Sequence, residues 1–312
     1  MVKQIELHVH SFSMRFHLRH RDRTGYDVFA YMEEMSARGF TGVNVSANGS
    51  GFRDLCGTTH DHFRAVRGAA EQLGLRLELD TSDTGVAHMS RMIGVAAACG
   101  ADTLRTYTKY DGPLRDVVRW TIADLSAVAD IAASAGVLVV LENHEDFTGP
   151  VLAEILTAVD HPAVRALYDY GNSQMVGEDP FDALEAMAPF VARVHAKDHV
   201  LLQGPDGPVV QGVTFGAGNL DVLGTTDRLH AAGVRRFCFE NVWAYRAPLR
   251  CSPEALPESP RFAWVDPSRY LHGDGLEPEH AVRGERSAFA DGLAAFRAML
   301  EQGDYTVERE VR

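Results

Sequence analysis

Short apolar runs alternate with longer amphipathic stretches along almost the whole chain. The runs at residues 4–9, 42–46, 75–79, 103–107, 137–142, 166–169, 192–196 and 237–240 have the length and composition of buried strands. Between and after them, apolar residues recur at helical spacing over 26–38, 59–73, 86–99, 114–135, 151–159, 181–187, 220–232 and 285–300. Several of these helices close on a glycine just before the next strand, as at Gly74, Gly100 and Gly136. Eight strand and helix alternations predict an α/β fold with a parallel sheet. At this count the natural form is a closed TIM (β/α)8 barrel. An open doubly wound sheet is the weaker alternative, because HVHSFSMRF follows the first strand where a dinucleotide-binding fold would carry GxGxxG.

The chain reads as a single domain over residues 1–312. Residues 247–278, with six prolines, form a long irregular insertion before the last helix that covers a barrel end or meets a second subunit. The basic stretch SMRFHLRHRDR, residues 13–23, reads as a solvated or subunit-contact loop, the alternative being a lid that draws in an anionic substrate. GAGN at residues 216–219 predicts a tight turn with Asn219 capping the following helix.

What breaks the apolar pattern is where the strands stop. VLVVLENHED ends on Glu142, VRALYDYGN on Asp169 and Asn172, ARVHAKD carries His195 and Lys197, and RRFCFENVW carries Glu240. In a parallel barrel the C-terminal strand ends share one face, so Glu142, Asp169, His195 and Glu240 are expected to converge. Strand alternation agrees, since Val140 and Glu142 share a face, as do Leu167 with Asp169 and Cys238 with Glu240. Each residue alone has a blander reading, a helix-capping acid or a satisfied core histidine. Together, three carboxylates and one imidazole make a ligand set for a single divalent ion, with Mn²⁺ preferred and Mg²⁺, Co²⁺, Fe²⁺ or Zn²⁺ as alternatives.

Composition narrows the partners. A hydrophobic fraction of 46% and a charged fraction of 23% are those of a globular protein. The formal charge of −13 disfavours nucleic acid and favours a small polar substrate. Cys56, Cys99, Cys238 and Cys251 form no CxxC pair and read as free thiols. No long apolar segment suggests a signal or a membrane span, so a cytoplasmic protein is expected.

The strings LENHEDF, LYDYGNSQMVGEDP, RVHAKD, FGAGNLD and FCFENVW resemble the xylose isomerase-like TIM-barrel superfamily, the sugar phosphate isomerases and epimerases, over residues 3–243. The resemblance implies a divalent metal at Glu142, Asp169, His195 and Glu240. In the ketose 3-epimerase branch it further implies that the two glutamates move protons. Where that branch keeps a histidine three residues after the metal aspartate, this chain has Asn172, whose amide cannot exchange a proton. The histidine-rich trizinc site and basic groove of endonuclease IV have no counterpart here.

The expected activity is therefore a metal-dependent sugar epimerase or isomerase, with Glu142 and Glu240 catalytic. His10, Arg105, His144, Asn172 and Lys197 are the expected substrate contacts, and the substrate a small polyhydroxylated molecule. A lyase on a cyclic keto-polyol, similar to the inosose or dehydroshikimate dehydratases, is the runner-up. A non-catalytic metabolite-binding barrel is the alternative of another class. By the same analogy the protein is expected to form a homo-oligomer, a dimer or tetramer.

Overall fold

A computed structural model describes residues 2–204 and 207–308. Seven parallel strands come first: β1 (Lys3–His10), β2 (Gly42–Ser46), β3 (Arg76–Asp80), β4 (Thr103–Thr106), β5 (Leu138–Glu142), β6 (Val164–Asp169) and β7 (Val191–Ala196). A hairpin of β8 (His199–Gly204) and β9 (Gly207–Gly212) interrupts the series before β10 (Arg236–Phe239). The barrel closes where β1 pairs with β10 in register Leu7 to Phe237 and Val9 to Phe239. The expected TIM barrel is therefore present, with helices around an eight-stranded parallel barrel.

The outer layer forms as the apolar periodicity requires. The helix Leu114–Ala135 buries Val117, Thr121, Leu125, Val128, Ala129 and Ala132, a stripe at spacings of three and four. It stops at Gly136, whose φ of +67° favours glycine and whose N–H bonds back to Ala132. Among the described residues no helix is long and apolar enough to cross a membrane.

The barrel interior is charged at both levels. In the lower layer, Arg236 Nη1 lies 2.7 Å from Glu78 and 2.8 Å from Asp102, and Arg236 Nε lies 3.1 Å from Glu6. Arg193 adds a 3.0 Å contact to Glu78. His8 sits among them, its Nδ1 3.5 Å from Glu78, against β2 at Gly42. A Cβ at position 42 would fall 2.4 Å from the His8 ring, so glycine is required there.

Three segments depart from the expectations. The segment between the seventh predicted strand and GAGN holds the β8–β9 hairpin, and the proline-rich insertion is partly ordered against it. Within that insertion β11 (Arg246–Pro248) pairs with β9, and β12 (Trp264–Val265) pairs with β8, making a small second sheet. Leu201, Val210, Phe262, Ala247 and Met175 give that sheet a core of its own. The basic stretch is helical, over Arg15–Arg19 and Arg21–Thr24, because Glu285 accepts hydrogen bonds from the backbone N–H groups of Phe16 and His17 at 2.9 and 3.1 Å. That cap comes from the closing helix Pro278–Gln302, which starts earlier than its apolar pattern suggested. Asn219 does not cap the next helix. Asp221 does, accepting from Gly224 N–H, while the Asn219 amide donates to Ala263.

A stability prediction follows from the lower layer. The His8 ring, its Nε2 3.6 Å from Glu6, and the nearby arginines hold Glu6 at about 2, and Arg236 holds Asp102 at about 2 against the effect of burial. Both lie below their ordinary values of 4.5 and 3.8, so their contribution is full above pH 4.5 and is lost as the pH falls toward 2. Arg236→Met is expected to cost about 3 kcal/mol at pH 7, by leaving Glu78 short of a buried partner. Denaturant unfolding should show a clearly smaller loss near pH 2.

Candidate active site

The upper layer repeats the alternation one step further along each strand. Glu142 and Asp169 are the last residues of β5 and β6, His195 is next to last in β7, and Glu240 directly follows β10. Backbone pairing sets Asp169 opposite His195, and Cys238 opposite His195 on the other side. His195 Nδ1 lies 3.5 Å from Glu142 Oε1, 3.9 Å from Glu240 Oε2 and 4.0 Å from Asp169 Oδ2. All four side chains are buried, and the four residues singled out from sequence do meet at one point.

Four further residues join them. His10 stands with Nε2 3.3 Å from Asp80 Oδ1 and Nδ1 3.5 Å from Glu240 Oε1. Arg105 spans Asp80, at 3.2 Å, and Glu142, with which it makes a short ion pair. Lys197 Nζ lies 2.8 Å from Asp169 Oδ2 and donates to Asn172 Oδ1 at the same distance. His144 stacks on Tyr107 with ring centroids 3.8 Å apart and planes 5° from parallel. These residues line a cleft of about 290 Å³ at the C-terminal mouth of the barrel. All five expected substrate contacts therefore face one space.

The electrostatics leave the cluster short of positive charge. Asp80, Glu142, Asp169 and Glu240 are buried carboxylates, and only Arg105 and Lys197 among the fixed cations pair directly with them. Burial works against ionised Glu142, but Arg105 and the imidazoles hold it well below the usual carboxylate range. Burial, together with the Glu142 and Glu240 charges, pushes Asp169 up, and the Lys197 ammonium is what opposes it. Burial lowers His144 to about 4, so it is neutral near pH 7.

Glu142 Oε1, Glu240 Oε2 and Asp80 Oδ1 are buried with no hydrogen-bond partner among the described residues. Two triplets, His10 with His195 and Glu240, and Glu142 with Asp169 and His195, bring one donor atom each within 4.8 Å of one another. Orphaned carboxylate oxygens and converging nitrogen and oxygen donors in an acid-rich cluster fit a divalent cation. Asn44 bears on the same fit. Its amide group lies 3.3 Å from His195 Nε2, while its Oδ1 has no partner. Turning the amide over lets Oδ1 accept from Nε2–H, which satisfies the orphan and leaves the Nδ1 lone pair pointing at the carboxylates.

Sequence reasoning missed Asn44, Asp80, Tyr107 and the pair Phe12 and Tyr245 at the cleft wall. Asp80 carried the same signal as the others, an acid closing the apolar run LELD. Asn44 stood inside GVNVS as a polar residue in a buried strand.

The family model for xylose isomerase-like TIM barrels matches residues 32–263. The chain belongs to this family. It is 27% identical over 207 residues to the uncharacterized protein YihM of Escherichia coli (strain K12), covering 66% of this chain and 62% of that protein. It is 28% identical over 169 residues to the 3-oxo-isoapionate decarboxylase of Pectobacterium atrosepticum, covering 53% of this chain and 59% of that one. The chain thus spans less than two thirds of the length of both relatives. The D-psicose 3-epimerase of Clostridium cellulolyticum H10, solved with D-tagatose, has the same fold with a TM-score of 0.66 at 13% identity, covering 95% of this chain and 99% of that one.

The turn beyond β6 offers a test of how tightly the site is packed. A Cβ at Gly171, two residues past Asp169, would lie 2.2 Å from Nδ1 of the buried His199 ring. Gly171→Ala is expected to lower stability by about 2 kcal/mol through overpacking, read as a reduced thermal midpoint.

Proposed function

We propose that this protein is a divalent-metal-dependent epimerase or isomerase of a small polyhydroxylated ketone. The observation that carries the reading is the convergence of Glu142, Asp169 and Glu240 within 4.0 Å of His195 Nδ1, with free buried oxygens on both glutamates. Those four residues would hold the ion. Bound there, a divalent ion supplies Lewis acidity toward a carbonyl and its neighbouring hydroxyl, with Mn²⁺ the preferred identity.

The chain's own residues account for the rest of the chemistry. Glu142 and Glu240 each present an unpartnered oxygen to the cleft, so one can take the proton beside the carbonyl while the other faces the opposite side of the carbon. Protonation of the resulting enediolate on that second side gives epimerisation, and protonation at the adjacent carbon gives isomerisation. Arg105 keeps Glu142 anionic, while Lys197 opposes the burial and like charge that push Asp169 up. Asn172 is fixed by Lys197 through its oxygen and keeps a buried Nδ2 without a partner, a donor suited to a substrate hydroxyl rather than a proton carrier. Neutral His144, flat against Tyr107, offers one more hydrogen bond at the cleft wall.

One observation favours a second reading. A relative 28% identical is a 3-oxo acid decarboxylase, and loss of CO₂ from a carbon beside a carbonyl leaves the same kind of enolate for an acid residue to protonate. The soluble, small-molecule setting is common to both, as is the expected homo-oligomer.

Elemental analysis of the purified chain is expected to find one divalent ion per chain, lost in Asp169→Asn. Asn44→Leu should weaken metal affinity about tenfold, by freeing the His195 ring. Proton NMR of keto-sugars in D₂O should show solvent exchange beside the carbonyl, reduced at least a hundredfold in Glu142→Gln and in Glu240→Gln. Release of CO₂ or water without exchange favours the lyase reading, and turnover that survives both substitutions sinks the two-glutamate scheme.

A further inference from the structure

Beside the carboxylate-lined cleft lies a second cavity of about 190 Å³, with Phe12 and Tyr245 lining both. Their rings meet edge to face at 5.7 Å and 81°, so this aromatic pair is the partition between the two spaces. The far side is basic. Arg15, Arg19 and Arg246 line it, together with His272.

Arginines buried in a protein normally face a carboxylate. Of these three only Arg15 is buried, Arg246 being half-buried and Arg19 exposed, and among the described residues none has a carboxylate within ion-pair distance. Arg15 is 5% exposed, yet among the described residues its side chain donates one hydrogen bond, from Nη2 to the Trp243 carbonyl at 2.8 Å, and its buried Nη1 has no partner. The guanidinium lies over the rings of Phe12 and Phe16, at 4.5 and 4.3 Å, which fixes its plane without neutralising it. The carboxylate whose charge acts on it most, Glu285, is committed to His17 and to two backbone N–H groups. Burial, and the like charge of Arg19 against that of Glu285, push Arg15 down to about 10. Arg246 donates to a neutral partner, Gln211, at 2.9 Å. The acid that lines the cavity, Asp274, is exposed and pairs with His272 at 3.3 Å.

We propose that this cavity is an anion subsite that binds a carboxylate or phosphate on the end of the substrate remote from the reacting carbonyl, so that the substrate class is an anionic keto-polyol. The inference rests on the epimerase reading for its account of the substrate, but not for the binding of the anion. The two spaces differ in their charge balance: the cleft sets five carboxylates against Arg53, Arg105, Lys109 and Lys197, whereas the cavity sets three guanidiniums against the single exposed acid Asp274. An anionic tail is repelled from the first and stabilised in the second, which orients the molecule along a single direction across the Phe12 and Tyr245 partition.

Inorganic phosphate titrated calorimetrically into the metal-free full chain, at constant ionic strength, tests the site without turnover. Saturable binding is expected, weakened about fivefold by Arg246→Gln or Arg19→Gln and about twentyfold by the pair, and unchanged or tightened by Glu240→Gln. Arg246 and Arg19 are at the rim, so these variants keep the test alive if Arg15→Gln does not fold. No saturable binding, or binding indifferent to both rim variants, overturns the subsite. Malonate as a second probe tells a carboxylate preference from a phosphate one. For substrate class, kcat/KM for a keto-sugar acid or phosphate over that for the neutral ketose is expected to fall about tenfold in Arg246→Gln, with the neutral ketose unaffected. An equal loss on both substrates overturns the orientation. Phosphate binding lost in the arginine variants, with no ketose turned over by the wild type, would leave the subsite standing and the epimerase reading fallen.

Discussion

Four carboxylates crowded into the dry mouth of a barrel repel one another, and the fold has to answer that repulsion before anything else about the site can hold. Closure of β1 onto β10 brings the strand ends together whether or not their charges agree. Arg105 and Lys197 supply part of the answer from within the chain. What remains is a set of unpartnered carboxylate oxygens around His195 Nδ1, whose donor chemistry suits a divalent ion.

The lower layer of the same barrel shows what full neutralisation looks like. There Glu6, Glu78 and Asp102 face Arg236, Arg193 and Arg76, and the acids are tied by short contacts. Both layers stand on the same strands, two residues apart: Glu78 below Asp80, His8 below His10, Arg193 below His195, Arg236 two steps below Cys238 and four below Glu240. Arginine gives way to histidine and glutamate on passing from bottom to top, and that exchange separates a structural ion network from a binding site. The lower layer ties its carboxylates to arginine, while the upper one leaves carboxylate oxygens without a partner.

Much of this was legible from the residues alone. The strand runs and their terminal acids follow from side-chain alternation in a parallel barrel, so β2 and the helices Val86–Cys99 and Leu114–Ala135 have the bounds their patterns predict. What was hidden depends on partners distant in the chain. Helix formation in the basic stretch needs Glu285, some 268 residues away, and the hairpin strands become sheet through pairing with β11 and β12. Asn44 reads as one more polar residue in a strand until the ring of His195 is set beside it.

The small sheet has an evolutionary consequence. It departs from the barrel directly after Lys197, and a single residue, Asp198, ties both of its ends by accepting N–H bonds from His199, Gly216, Gly218 and Leu220. With its attachment pinned so close to the ligand cluster and a hydrophobic nucleus of its own, the sheet is a module that can drift in sequence and shape while the chemistry beneath stays in register. Lineages sharing this scaffold would thus diversify by remodelling the appendage without disturbing the acids and imidazoles below.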